Sequence, residues 1–174
     1  MKSIFKLVAV LAVFAGIACQ TEEVEAPIDP LFAGNGVVEK VTGSGHFTIF
    51  PDTDSSFVRT FTVSAKRFAD GTVTGEWQRV RRDDGNASGD AKSHGNITCF
   101  EIVGDYAWLG GEAETGILGD VGFRVYDGGK GGKADSISLE FVARSDGFAE
   151  LYCDVLVETP ALNAIEAGNI TIHD

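Results

Sequence analysis

The stretch FTVSAKRFADGTVTGEWQ, residues 61–78, predicts two antiparallel β-strands joined by a tight turn. In its first half, apolar and polar side chains alternate, which is the pattern of a strand with one buried face. The apolar positions are Phe61, Val63 and Ala65, and the polar positions are Thr62, Ser64 and Lys66. Asp70-Gly71 is a strong hairpin-turn signal, and alternation returns in residues 72–81. The stretch therefore indicates an all-β fold.

Similar strand signals, separated by glycine-rich or polar turns, fill the chain up to residue 173. The predicted strands are 37–41, 46–50, 57–68, 72–81, 96–103, 106–111, 120–126, 136–144, 148–157 and 168–173. Residues 82–92 and 128–133 are predicted loops, and residues 160–167 a single helical turn. Because no crossover helix is available to join parallel strands, the strands must pair antiparallel. We expect one antiparallel β-barrel-like domain of about eight strands over residues 36–174, with a β-sandwich as the alternative.

The N-terminal residues 1–18 have the parts of an export signal rather than of a membrane span. Lys2 and Lys6 form a positive head, and residues 7–18 carry no charge. Twelve apolar residues rise only about 18 Å as a helix, which is less than the hydrocarbon core of a bilayer. We therefore expect the protein to leave the cytoplasm.

The residues around the predicted cut resemble the lipobox of bacterial lipoproteins. Gly16-Ile17-Ala18 provides small residues before Cys19, although the lipobox prefers leucine where this chain has Gly16. The resemblance implies that Cys19 becomes the lipidated N-terminus and attaches the protein to a membrane, facing either the periplasm or the cell surface. The alternative is cleavage by an ordinary signal peptidase, which leaves a secreted protein with an unmodified Cys19. Residues 19–35, rich in glutamate and proline, are a predicted linker.

The composition after the cut limits the classes of partner. Loss of Lys2 and Lys6 leaves 12 basic residues against 26 acidic ones, so the mature net charge is near −14. Such a surface repels nucleic acid and anionic lipid headgroups, so no nucleic-acid role is expected. Glycine makes up 21 of the 156 remaining residues, about twice the usual ~7%. Three of these glycines fall inside predicted strands, where we expect bends of a barrel: Gly75, Gly110 and Gly122.

The domain contains two cysteines, Cys99 and Cys153. In an oxidising compartment an even pair of this kind indicates a disulfide. The alternative is two buried free thiols, because cysteine packs well as a small apolar residue. A catalytic thiol is disfavoured, since no basic neighbours would lower its pKa.

Five phrases of the chain occur together in small exported bacterial proteins. They are GSGHF at 43–47, FTVSAKRFADGTVTGEWQ at 61–78, HGNITC at 94–99, GDYAWLGG at 104–111 and GNIT at 168–171. Over residues 36–173 the chain resembles this uncharacterised family of β-domain proteins. The resemblance implies a shared β fold and carries no activity with it.

Four residues are candidate ligand contacts: His46, Trp77, His94 and Trp108. The histidines lie next to or near glycine at predicted strand ends, where Glu101 or Asp105 would complete a zinc or general-base site. Their spacing is not that of a metal motif, so histidines satisfied by local hydrogen bonds are the alternative. The tryptophans would stack on a sugar or planar ligand, or else belong to the core.

Two charged clusters have simpler explanations. Asp52, Asp54 and Ser56 alternate like oxygen ligands of calcium, but the glycine and distal glutamate of a calcium loop are missing, so an exposed turn is favoured. The arginines of residues 79–82 could dock an anionic partner, although pairing with Asp83 and Asp84 is favoured. No metal or cofactor is expected.

The first functional hypothesis is a non-enzymatic, lipid-anchored envelope protein that binds a small ligand, a glycan or another envelope protein, with a purely structural role as a further alternative. The second is a barrel-cavity enzyme, of the cyclase or isomerase type, that uses His46 or His94 with a carboxylate. The enzyme requires His46, His94, Glu101 and Tyr126 to meet in a closed pocket. An interior filled with Phe, Val and Trp side chains would instead move any binding to the outer surface. No nucleophile elbow, phosphate loop or dinucleotide fingerprint is present in the sequence.

Overall fold

A computed structural model describes residues 36–51, 56–83, 86–116, 119–132 and 134–174, without the side chains of residues 83–91. The signal segment, Cys19, the linker, Asp52 and Asp54 lie outside the described residues. Within the described ranges, no helix has the length and hydrophobicity needed to cross a membrane.

The described residues form ten strands and one helix. The strands are β1 (Val37–Ile49), β2 (Phe57–Phe68), β3 (Val73–Asp83), β4 (Asn86–Val103), β5 (Tyr106–Thr115), β6 (Asp120–Tyr126), β7 (Ser136–Ser138), β8 (Phe141–Ala143), β9 (Leu162–Ala164) and β10 (Ala167–His173), and the helix α1 is Phe148–Val155. All strand pairs are antiparallel, in the order β10-β1-β2-β3-β4-β5-β6-β7-β9, with β8 also paired to β6. The sheet curls into a half-barrel, which confirms the all-β, barrel-like prediction.

The inner face of the half-barrel is the hydrophobic core. Alternate residues of β2, Phe61, Val63 and Ala65, point inward and are buried, as the sequence predicts. They pack with Val, Ile, Leu and aromatic side chains from the other strands, including Phe47, Phe100 and Phe123. Apolar side chains therefore make up most of the interior, and burial of this surface is the main stabilising term of the fold.

Two aspartates tie the open edge strand β10 to the opposite side of the half-barrel. Asp135 is fully buried, and its carboxylate accepts hydrogen bonds from Gly128 N and Ile170 N at 2.9 and 2.6 Å. Asp127 accepts one from Ile172 N at 3.0 Å. These carboxylates replace strand-to-strand bonds for β10 backbone groups that would otherwise lack a partner. The two ends of the sheet are thus joined without a continuous ladder.

Helix α1 packs on the outer face of β4, β5 and β6, where Gly110 and Gly122 are directly paired. A side chain on either glycine would collide with the helix: a Cβ at Gly122 would lie 2.4 Å from Tyr152. The N-cap residue Gly147 has no side chain to cap the helix, and Asp120 of β6 accepts a hydrogen bond from Ala149 N at 3.1 Å instead.

A disulfide, with an S–S distance of 2.08 Å, joins Cys153 of the helix to Cys99 of β4 and confirms the predicted bridge.

Several local predictions were wrong. Residues 148–157 were predicted to form a strand and instead contain α1, because Ala149, Tyr152 and Cys153 form a buried helical stripe. Residues 160–167 contain β9 rather than a helical turn, and 82–92 is largely strand rather than loop. Residues 37–49 form one strand that continues through the glycines at 43 and 45.

Candidate functional site

The outer face of β1–β5 carries a row of polar side chains that the strand register aligns. Cα partners across the five strands are Ser44, Thr62, Gln78, His94 and Thr115. The next row contains Ser64, Glu76, Asn96 and Glu112. Successive residues of a strand point to opposite faces, so these positions face away from the apolar core. We call this surface the outer polar face.

A groove on the outer polar face surrounds His94. It has a volume of about 380 Å³ and is lined by Thr62, Glu76, Trp77, Gln78, Lys92, His94, Gly95, Asn96 and Glu114. The His94 ring is held on both sides, by Thr115 Oγ1 at 2.7 Å from Nδ1 and by Glu114 Oε2 at 3.3 Å from Nε2. Asn96 Nδ2 donates to Glu114 Oε1 at 2.7 Å. These bonds fix the orientation of the side chains that line the groove.

A second depression continues from this groove. The ladder between β3 and β4 ends at the pair Glu76 and Asn96, and beyond it the two strands are no longer paired. A space of about 540 Å³ opens there, lined by Ser64, Lys66, Val73, Thr74, Gly75, Glu76, Asn96 and Ile97. Since Glu76 and Asn96 line both depressions, the two adjoin along the outer polar face, and we call them together the β3–β4 groove.

The charges of the β3–β4 groove nearly cancel. Lys66 and Lys92 face Glu76 and Glu114, in a protein whose overall charge is −12. Amide, hydroxyl, imidazole and carboxylate groups together offer both donors and acceptors. The groove is therefore suited to a polar ligand without a large charge of its own.

The four residues required by the enzyme hypothesis are not brought together. His46 contacts Glu166 at 3.7 Å, Glu101 pairs with Arg67 at 3.2 Å, and the Tyr126 ring lies 4.7 Å from that of Tyr106. His46 on β1 and His94 on β4 are three strand spacings apart, about 14 Å. His94 and Glu101 are seven residues apart on one strand, about 23 Å.

The two tryptophans that were predicted to contact a ligand are both buried. Trp77 belongs to the core and is 3% exposed. Trp108 lies on the outer face beneath the segment that follows α1, and its Nε1 donates to Val157 O at 2.9 Å. The chain's own residues therefore cover both rings, and only His94 of the four candidates lines the β3–β4 groove with an exposed side chain.

The pairing of the arginines of residues 79–82 with Asp83 and Asp84 stays a prediction, and two of these arginines have contacts elsewhere among the described residues. Arg79 Nη1 pairs with Glu140 Oε2 at 2.5 Å, and Arg81 lies 4.2 Å above the Phe57 ring. Asp84 and the side chain of Asp83 lie outside the described residues. Glu140 comes from the link between β7 and β8, a long-range partner that local charge patterns do not reveal.

Sequence reasoning missed most of the groove residues. Gln78, Asn96 and Glu114 lie on strands whose polar positions were visible, but their alignment depends on the register of the β3–β4 and β4–β5 ladders, which shifts at irregularities in both. Among the described residues, no group of three or more His, Cys, Asp or Glu side chains could hold a metal ion.

Comparison with known proteins adds no relative: no family model, curated protein or solved structure matches the chain.

Proposed function

We propose that the protein is an exported, lipid-anchored envelope protein whose β domain binds a neutral glycan in the β3–β4 groove. The export signal and Cys19 support the anchor, and the linker of residues 19–35 would hold the domain away from the membrane. The observation that carries the binding proposal is the pair of adjoining depressions that share Glu76 and Asn96 and are lined by hydrogen-bonding side chains.

A binding role fits the arrangement better than a barrel-cavity enzyme. Most of the inner face consists of apolar side chains, and the four residues that the enzyme hypothesis requires do not meet there. The histidines and carboxylates proposed for catalysis lie apart on the outer surface. A surface groove remains, and surface grooves bind without enclosing their ligand.

A glycan matches the chemistry of the groove. Sugar hydroxyls donate and accept hydrogen bonds. The side chains of Gln78, Asn96 and His94 each carry both a donor and an acceptor group. Two adjoining depressions favour a chain of several sugars over one compact molecule. The balanced charges in the groove give an anionic glycan no net attraction and impose no penalty on a neutral one.

The binding proposal is tested with the purified domain and a panel of neutral tetrasaccharides, including chito-, cello- and malto-oligosaccharides, by native mass spectrometry and titration calorimetry. We expect one member to bind, and His94→Ala and Gln78→Ala each to weaken it about tenfold, since each removes hydrogen bonds to the ligand.

The matched control is His46→Ala. His46 is as exposed as His94, at 42% against 41%, and also faces a glutamate, but it lies outside the groove. It should leave binding unchanged. Equal losses in both histidine variants, or no binding by any member of the panel, would contradict the groove as a glycan site.

The anchor is tested separately by labelling cells that express the protein with radioactive palmitate. The wild-type chain should carry label and sediment with membranes, and Cys19→Ala should carry none. Two acyl chains or more on one residue hold a protein far more firmly than a single chain. An unlabelled wild-type protein in the medium would instead indicate ordinary secretion.

A further inference from the structure

A cationic cluster lies inside the half-barrel, at the end opposite to Val37, the first residue of β1. Arg59 of β2 and Arg79 of β3 both bond Glu140, with Nη1 to Oε2 distances of 2.6 and 2.5 Å. Glu140 follows β7, so the contact spans the interior from one wall to the other. All three side chains are largely buried, at 11%, 15% and 11% exposed.

Among the residues that the structure describes, the cluster is not balanced in charge and Arg59 Nε has no hydrogen-bond partner. Two guanidinium groups share a single carboxylate, and indeed a single oxygen of it. Arg59 Nε is also buried. A buried donor without a partner costs free energy, as does a buried charge that is incompletely paired.

The electrostatics of Arg59 agree with this geometry. Burial lowers its pKa, Glu140 opposes that effect, and the neighbouring charges of Arg79 and Arg81 add to the lowering. The positive form of Arg59 is therefore less well compensated than in an ordinary surface ion pair.

The cluster is also preorganised. The Phe57 ring lies near two guanidinium groups, with its centroid 5.6 Å from Arg59 Cζ and 4.2 Å from Arg81 Cζ. A planar guanidinium held in place by an aromatic ring presents its N–H groups in a fixed fork, which matches the oxygens of a carboxylate, phosphate or sulfate.

We propose that Arg59 and Arg79 form a binding site for a small oxyanion, separate from the β3–β4 groove and independent of its function. The anion supplies the second negative charge that Glu140 alone does not provide, and accepts hydrogen bonds from guanidinium donors that Glu140 leaves unused. The acidic surface does not prevent this, because charges more than about 8 Å away are largely screened at physiological ionic strength.

The proposal is tested on the folded domain with inorganic phosphate, sulfate and acetate, against chloride at constant ionic strength. We expect at least one of the three to raise the melting temperature saturably and to give a measurable dissociation constant by calorimetry, since ligands that bind only the native state stabilise it. Arg79→Gln should abolish both effects.

The matched control is Arg67→Gln, on the same strand as Arg59. Arg67 already pairs with two carboxylates, Glu39 at 2.8 Å and Glu101 at 3.2 Å, so its loss should leave the anion response intact. A response that disappears equally in both variants would overturn the assignment.

Glu140→Gln provides a second, opposite test. Removing the competing carboxylate should tighten anion binding about tenfold, and the anion should restore part of the stability lost. If Glu140→Gln does not fold, the wild-type and Arg79→Gln measurements still decide. Anion responses that are absent from the wild type, or identical in wild type and Arg79→Gln, would overturn the proposal and leave the cluster a structural contact only.

Discussion

The two halves of the sheet use their outer faces differently. On β2 the outward residues Thr62, Ser64 and Lys66 are exposed. On β5 and β6 the outward residues Gly110 and Gly122 are buried beneath α1, and residues 107–111 are buried without a break. One half, around β1 to β3, is a single layer whose outer face is open to solvent, and we call it the wet half. The other, around β5 and β6, is covered by α1 on its outer face and by the core on its inner face, and we call it the covered half.

This difference determines what each half contributes. The wet half can present functional side chains at no cost to packing, and it carries most of the β3–β4 groove. The covered half obtains its stability from the helix, the disulfide and the close approach of the backbones. Substitutions in the two halves should therefore differ strongly in their effect on the free energy of unfolding.

The largest effect is expected on losing the disulfide that holds α1 to the covered half. The bridge closes a loop with a sequence separation of 54 residues. The double variant Cys99→Ala/Cys153→Ala should lower the free energy of unfolding by about 4 kcal/mol on the chain-entropy model. Guanidinium denaturation compares it with the wild type, and a loss below about 1 kcal/mol would mean that the helix is held by packing alone.

A Cβ at Gly122 tests the packing itself. Gly122→Ala should lower the free energy of unfolding by about 1–3 kcal/mol, because the new methyl group would lie 2.4 Å from Tyr152 and force the helix outward. Gly36→Ala is the matched control, since a Cβ there meets no atom within 4 Å. Equal stability of the two variants would show that α1 moves freely on the sheet.

The same difference explains how much of the fold the sequence predicts. In the wet half, Phe61, Val63 and Ala65 alternate with polar residues, so β2, its turn and β3 follow from the pattern. Around α1, buried positions occur on both faces and the alternation disappears. Residues 148–155 contain Phe, Tyr and Val, which favour strands, but Ala149, Tyr152 and Cys153 form a buried helical stripe against β5 and β6.

The candidate site was predictable in part for a similar reason. His94 stands out as a rare residue type beside a glycine, but nothing local indicates that Glu114 and Thr115 hold it. Those neighbours result from the register between β4 and β5, which shifts by one residue at Glu114 of β5. The Glu140 cluster joins opposite walls of the half-barrel, and no sequence pattern encodes that distance.

Substitution of Asp135, which links β10 to the residues after β6, should lower the free energy of unfolding by an intermediate amount. Asp135→Asn leaves one side-chain oxygen to serve Gly128 N and Ile170 N, which both bond the carboxylate in the wild type. One buried N–H group then lacks an acceptor, so we expect a loss of about 1–3 kcal/mol in the free energy of unfolding. Hydrogen exchange should show faster exchange at Gly128 or Ile170, and unchanged protection at both would contradict the role of the carboxylate.

Tyr152 makes the covered half sensitive to alkaline pH. Burial raises the pKa of its hydroxyl, against smaller opposing effects of Ser138 and Arg124. Above about pH 10 the unfolded chain loses this proton before the folded chain does, so stability present below that pH falls as the pH rises. Tyr152→Phe should show a shallower decline in unfolding free energy between pH 9 and pH 11, as measured by urea denaturation. Parallel curves for the two proteins would rule out this contribution.

The smallest stability effect is expected in the wet half, at Thr62. Thr62→Val keeps the β-branched shape that suits a strand and changes only an exposed hydroxyl, so the free energy of unfolding should move by no more than about 0.5 kcal/mol. The same substitution removes a hydrogen-bonding group from the β3–β4 groove. It should therefore weaken binding of a neutral tetrasaccharide while leaving the urea midpoint unchanged. A shift of the midpoint as large as that of Gly122→Ala would mean that the outer polar face supports the fold, and the two halves would not differ as the structure indicates.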